Sequence, residues 1–229
     1  MNSIGSLRRQ ASTILQQFGL APFRNILTSD ELAALAAASG CTPVRRRALT
    51  PEVVVWLMLG VALETTSMTQ GLILAWGWIS AACVWVKGSA VTEEAFCLAR
   101  ERLPLQFWFK LWDLLSNKYI SRFDASMRWK GLRLIAVDGT EVDVPNVPAL
   151  VKFFTRPKSN GGESKSPQGR LVAACSVFTG FCLWFEFTSR RFSEQLALKH
   201  LIRKFRQDDL IILDRGFFSL CHYRSDSPA

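Results

Sequence analysis

Two aspartates stand where chemistry is easiest to place. Leu132-Arg133-Leu134-Ile135-Ala136-Val137 reads as a strand that delivers Asp138-Gly139-Thr140 at its end, and about 75 residues later Leu210-Ile211-Ile212-Leu213 reads as a second strand that ends on Asp214. Adjacent strands that both end in Asp can aim two carboxylates at one spot, and such hard oxygen donors suit divalent cations. Residues 150–206, lying between them, hold eleven lysines and arginines against three glutamates, nearly the whole +9 charge of the chain. Acids flank this basic band, with Asp138, Glu141 and Asp143 before it and Asp208, Asp209 and Asp214 after it. Metal ions can hold carboxylates together while Lys and Arg neutralise phosphates, so the pattern suits a metal site acting on a polyanion. The plainer alternative is that Asp138 opens a turn, Asp-Gly being a common turn dipeptide, and that Asp214 caps a helix.

The elements that must position these groups change character along the chain. Thr28-x-x-Glu31 is a capping box that opens a helix closed by Gly40. Thr50-Pro51-Glu52 gives an N-cap, a proline at the first helical position and an acid in the first turn. Thr92 starts another helix, and after Pro104 the residues Phe107, Leu111, Leu114 and Leu115 recur on one helical face. Beyond Gly131 the period becomes that of strands. Residues 170–178 and 181–188 form a hairpin around Thr179-Gly180, which places Phe181, Leu183, Phe185 and Phe187 on one face with Val172, Ala174 and Phe178. Ser193 caps a helix over 194–205, and residues 156–169 look the most flexible. The expected architecture is a helical domain over 1–129 followed by an α/β domain with a mixed sheet over 130–229.

Composition excludes several classes. With 229 residues and 49% apolar content the chain can build a sizeable core, which rules out wholesale disorder. A sequence pI near 9.6 argues for an anionic partner, nucleic acid first. Six cysteines without a C-x-x-C pair, and two histidines, give neither a zinc site nor a disulfide scaffold. Buried free thiols in a reducing cytosol are the expectation. The N-terminus lacks the apolar run of a secretory signal. Gly71–Val86 carries no charge but is shorter than the roughly 20 residues of a spanning helix, so it reads as a core helix and a membrane partner is not expected.

The Leu134–Thr140 run, Pro145, the Ser193-Glu194 pair and Leu213-Asp214-Arg215-Gly216-Phe217-Phe218 resemble the insertion-sequence-four family of bacterial DDE transposases, and the 50–56 run resembles that family's helical N-terminal domain. The resemblance implies a ribonuclease H-like catalytic fold, with Asp138 and Asp214 as the first two carboxylates of a site for Mg2+ or Mn2+. It implies double-stranded DNA at insertion-sequence ends as partner, cleavage and strand transfer as activity, and a cytoplasmic, nucleoid-associated protein. Candidate DNA contacts are Arg45, Arg46, Arg47, Lys152, Arg156, Lys158, Lys165, Arg190, Arg191, Arg203, Lys204, Arg206 and Arg215. The family's third ligand belongs to a later Tyr/Arg/Glu/Lys signature. Only fifteen residues follow Asp214, and they contain no Glu. Glu194 reads as a cap or local ion-pair partner. The expectation is therefore a truncated, catalytically inactive transposase with a bare sheet edge. The alternative is a DNA-binding module without chemistry that inhibits the full-length enzyme through mixed oligomers.

Overall fold

The computed structural model describes residues 4–41, 49–63, 67–83, 86, 88–126, 128–159 and 162–217. The chain forms two compact units, Met1–Lys118 and Tyr119–Ala229.

The first unit is helical: α1 (Ile4–Phe18), α2 (Ala21–Ile26), α3 (Ser29–Ala38), α4 (Pro51–Leu63), α5 (Met68–Ala82), α6 (Glu93–Glu101) and most of α7 (Leu105–Phe123). Side-chain caps start these helices as expected. Thr28 and Glu31 form the reciprocal capping box of α3, Thr50 Oγ1 accepts from the Val53 amide, and Thr92 Oγ1 accepts from the Ala95 amide. Helix α4 is apolar on every side, and Val53, Val54, Val55, Trp56 and Leu57 are all buried, which makes it the central helix of the unit. Helix α5 lies along α4 and buries Leu72, Ala75, Trp76 and Ile79 at helical spacing. Phe107 and Leu111 of α7 close the same core, with Leu114 and Leu115 packed against it. No helix among the described residues is long and apolar enough to cross a membrane.

The second unit is built on a five-stranded mixed sheet: β1 (Arg128–Trp129), β2 (Leu132–Asp143), β5 (Gln168–Ser176), β6 (Cys182–Ser189) and β7 (Asp209–Leu213). A small separate ribbon, β3 (Lys158–Ser159) with β4 (Gly162–Glu163), occupies part of the stretch expected to be loop, and α8 (Pro148–Phe154) precedes it. Strand β2 pairs antiparallel with β5 and parallel with β7, and β5 pairs antiparallel with β6. Helix α9 (Glu194–Ile202), capped by Ser193, covers one face. There Ile135, Val137, Val172, Ala174, Leu183 and Trp184 pack with Ala197, Leu198 and Leu201.

Two expectations change here. Strand β2 does not stop at Val137; it continues through Gly139 to Asp143, each residue paired along β5, so Asp138 lies within a strand and opens no turn. The hairpin also contains a bulge between Ala174 and Cys175. Ala174 faces Trp184 while Cys175 faces Cys182, so Leu183 is the extra residue. The bulge shifts the register by one: Phe185 and Phe187 face Ala173 and Leu171, away from the α9 side, and Phe187 is exposed. Strict alternation across the turn cannot register such an insertion.

Candidate metal centre and nucleic-acid interface

The β2–β7 pair runs from Arg133 opposite Asp209 to Val137 opposite Leu213. Because the strands are parallel, the residues that follow, Asp138 and Asp214, leave the pairing at the same end, and parallel strands lie about 4.8 Å apart. Both aspartates are exposed. Asp138 Oδ1 accepts from the Gly139 amide at 2.8 Å, and Asp214 Oδ1 accepts from the Gly216 amide in the turn Arg215–Phe217. Asp214 thus also caps that turn, as the plainer reading held. Among the described residues neither carboxylate takes part in an ion pair.

Glu194 reaches the same end from the α9 side. A Cβ on Gly139 would stand 2.7 Å from Glu194 Oε1, and a Cβ on Gly216 would stand 3.1 Å from Asp214 Oδ1 and 3.7 Å from Glu194 Oε2. The two glycines therefore leave a cradle between the segments that carry Asp138 and Asp214, and the Glu194 carboxylate occupies it. Arg170 Nε lies 3.8 Å from Glu194 Oε1 and holds it there. Gln195 adds a bond of 2.8 Å to the Gly216 carbonyl. Glu194 is the first residue of α9, as a local reading holds, but its long-range position depends on Gly139, which no sequence interval reveals.

The opposite end of the strand pair uses its acids structurally. Arg133 is buried and meets Asp209 through two bonds, Nε to Oδ1 at 2.7 Å and Nη2 to Oδ2 at 2.9 Å. Asp209 Oδ2 also accepts from the Arg206 amide at 2.8 Å. Asp208 pairs with Arg128 at 2.6 Å, and this guanidinium holds its carboxyl below the usual aspartate range. The acids after the basic band thus divide: Asp208 and Asp209 start β7, and Asp214 follows its other end. Of the acids after Asp138, Glu141 pairs with Arg190 at 2.6 Å and Arg170 at 3.4 Å. Asp143 accepts from Gln168 Nε2 at 2.8 Å. Both are committed to cross-strand contacts.

The basic candidates are dispersed over the second unit. Lys152, Lys158, Lys165, Arg191, Arg203, Lys204, Arg206 and Arg215 are exposed. Arg156 bonds Asn146 at 2.7 Å and lies 3.8 Å from Glu163, and Arg190 is taken by Glu141. Arg45, Arg46 and Arg47 lie outside the described residues. Among the described residues no group of three or more His, Cys, Asp or Glu side chains is arranged as a metal cage. Two exposed carboxylates at one strand end still match the donors that Mg2+ uses, since that ion is commonly held by one or two carboxylates with water and substrate phosphate completing the shell.

Residues 129–225, which include both aspartates and Glu194, match the family model "Transposase DDE domain". The chain is 24% identical over 206 residues to "Transposase InsG for insertion sequence element IS4" of Escherichia coli (strain K12), covering 86% of this chain and 45% of that protein. It is also 24% identical over 203 residues to "Putative transposase InsZ" of the same organism, covering 86% of this chain and 64% of that protein. It thus spans about half the length of the first relative and under two thirds of the second. No solved structure matches. Residues 129–225 are thus similar to a transposase DDE domain, and most of the chain is similar, at low identity, to these two transposases.

Proposed function

We propose that Asp138 and Asp214 hold divalent metal, Mg2+ or Mn2+, on a ribonuclease H-like sheet, and that the chain uses this site on double-stranded DNA at insertion-sequence ends. The observation that carries the reading is the parallel pairing of β2 with β7, which ends at Val137 opposite Leu213, so that the next residue of each segment is an exposed aspartate. When bound, the metal would supply a Lewis acid that activates a hydroxyl nucleophile and neutralises charge on the phosphate. The chain's own residues do the rest. Gly139 and Gly216 fix the two aspartates through their amides, Arg170 holds Glu194 beside them, and the exposed Lys and Arg side chains neutralise DNA phosphates.

Two readings share this site and differ in one readout. In the first, the chain binds and cuts. In the second, it binds element ends without cutting and acts as an inhibitor in mixed oligomers with a full-length transposase. The second is favoured by the site itself, which assembles two free carboxylates while Glu194 is engaged by Arg170. The test is a gel-shift and nicking assay on element-end and random duplexes with Mg2+ or Mn2+. Binding that weakens steeply with salt and prefers element ends, without nicking, supports the binding module. Nicking abolished by Asp138→Asn restores the nuclease reading. Salt-insensitive binding without end preference would overturn both.

A further inference from the structure

Cys175 and Cys182, expected as buried free thiols, are only half-buried, because they lie on the sheet face opposite α9, and the bulge sets them opposite one another on β5 and β6. The bond from the Ser176 amide to the Phe181 carbonyl, 2.9 Å, flanks this rung, so the two cysteines face each other at a position without its own backbone bonds. At such rungs facing Cα atoms lie about 4.5 Å apart, inside the roughly 4.4–6.8 Å span of disulfides. Cys182 Sγ donates to the Trp184 carbonyl at 3.4 Å, and its backbone partner across the rung is Cys175. Both side chains are half-buried, on the face of the sheet opposite α9, where a small oxidant can reach them. The hairpin is held at its turn, because the Tyr119 ring stacks on Phe181 with centroids 4.1 Å apart and its hydroxyl bonds Thr179. The facing pair thus has the kind of cross-strand placement that a disulfide can bridge.

We propose that Cys175 and Cys182 form a reversible intrachain disulfide when the protein meets an oxidant of the peroxide class. Either sulfur can attack and the other resolve, with the same product; in one order Cys175 attacks. Cys175 thiolate attacks one oxygen of hydrogen peroxide, the O–O bond breaks, and a sulfenic acid and hydroxide result. Cys182 sulfur then displaces the sulfenic hydroxyl, its own proton leaving with that group as water. Two thiols and one peroxide give one disulfide and two waters. A dithiol reductant reverses it, consistent with thiols in a reducing compartment.

The test uses the full chain. After reduction and desalting it is treated with hydrogen peroxide, the remaining thiols are alkylated, and the chain is cut with trypsin. Both cysteines fall on one peptide, residues 171–190, which contains no internal Lys or Arg. The expected product is this peptide two hydrogens lighter and free of alkylation, with full double alkylation restored by dithiothreitol. Cys182→Ser, which keeps a side chain of similar size and a hydroxyl donor, removes the lighter species and leaves Cys175 alkylated or over-oxidised. Circular dichroism of that variant, matching wild type, excludes misfolding as the cause. Double alkylation of the peptide while other cysteines oxidise would overturn the proposal, as would over-oxidation of Cys175 in the wild-type chain without a disulfide, or a bond from either residue to another cysteine.

Discussion

The two ends of the β2–β7 pair carry the same residue type and treat it in opposite ways. At the start of β7, the Asp209 side chain is buried and gripped by a buried guanidinium, Arg133, with Asp208 held by Arg128 beside it. At the other end, five residues along, Asp138 and Asp214 are exposed and accept from the Gly139 and Gly216 amides. A buried carboxylate must be neutralised locally, and the buried end does so within the protein. The exposed pair leaves its charge for something else. An acid neutralised by its own chain builds the sheet, whereas the exposed pair is where we propose that a divalent cation binds.

This contrast can be broken most forcefully at the buried end. Asp209→Ala removes both bonds to Arg133 and the acceptor for the Arg206 amide, leaving a buried guanidinium whose nearest remaining acid, Asp124, is 3.8 Å away. Denaturant unfolding should show a loss of about 3 kcal/mol or more, whereas Asp138→Ala, at the open end, should stay within about 0.5 kcal/mol of wild type. Equal losses at both ends would remove the distinction.

A middle-sized effect is expected at the cap of α9, the helix that carries Glu194 to the open end. Ser193 Oγ accepts from the Leu196 amide at 3.2 Å. Ser193→Ala should cost about 1 kcal/mol.

Gly139→Ala is expected to cost less. Its Cβ meets only the tip of a flexible glutamate, which can swing aside, so the loss in denaturant unfolding should stay below about 1 kcal/mol. The penalty should vanish in a Glu194→Ala background. A penalty that persists there would mean that Glu194 does not fill the cradle.

The smallest effect is one of pH. Asp208 titrates below its usual 3.8 because of Arg128, so its contribution to stability is fully present above that value and is lost as pH falls below it. Asp208→Asn should flatten that part of an acid-unfolding curve. An unchanged acid limb would show that the Arg128 pair adds nothing.

Much of this arrangement is legible in the sequence where it depends on local rules. The caps at Thr28, Thr50, Thr92 and Ser193 obey short-range hydrogen-bond chemistry, and each starts a helix where expected. The two aspartates at the ends of apolar runs were legible for the same reason. What escaped depends on partners distant in sequence. The continuation of β2 past Gly139 depends on its neighbour β5, and the sorting of Asp208 and Asp209 away from Asp214 depends on Arg133, 76 residues from Asp209. The bulge at Ala174/Cys175 adds one residue that alternation cannot see, and with it come the outward turn of Phe187 and the meeting of Cys175 with Cys182. Glu194 starts α9, but the cap is Ser193 and its ion-pair partner is the distant Arg170, so the expected cap or local ion pair does not describe it, and its place between Gly139 and Gly216 needed the fold.

The central claim is that the open end binds a divalent cation, and calorimetric titration of the full chain with Mn2+ tests it most directly. Wild-type protein should bind, and Asp138→Asn and Asp214→Asn should each weaken binding by about tenfold or more, while Glu141→Gln, at a committed cross-strand acid, should leave it unchanged. Binding of undiminished affinity in the Asp138→Asn/Asp214→Asn double variant would contradict the account.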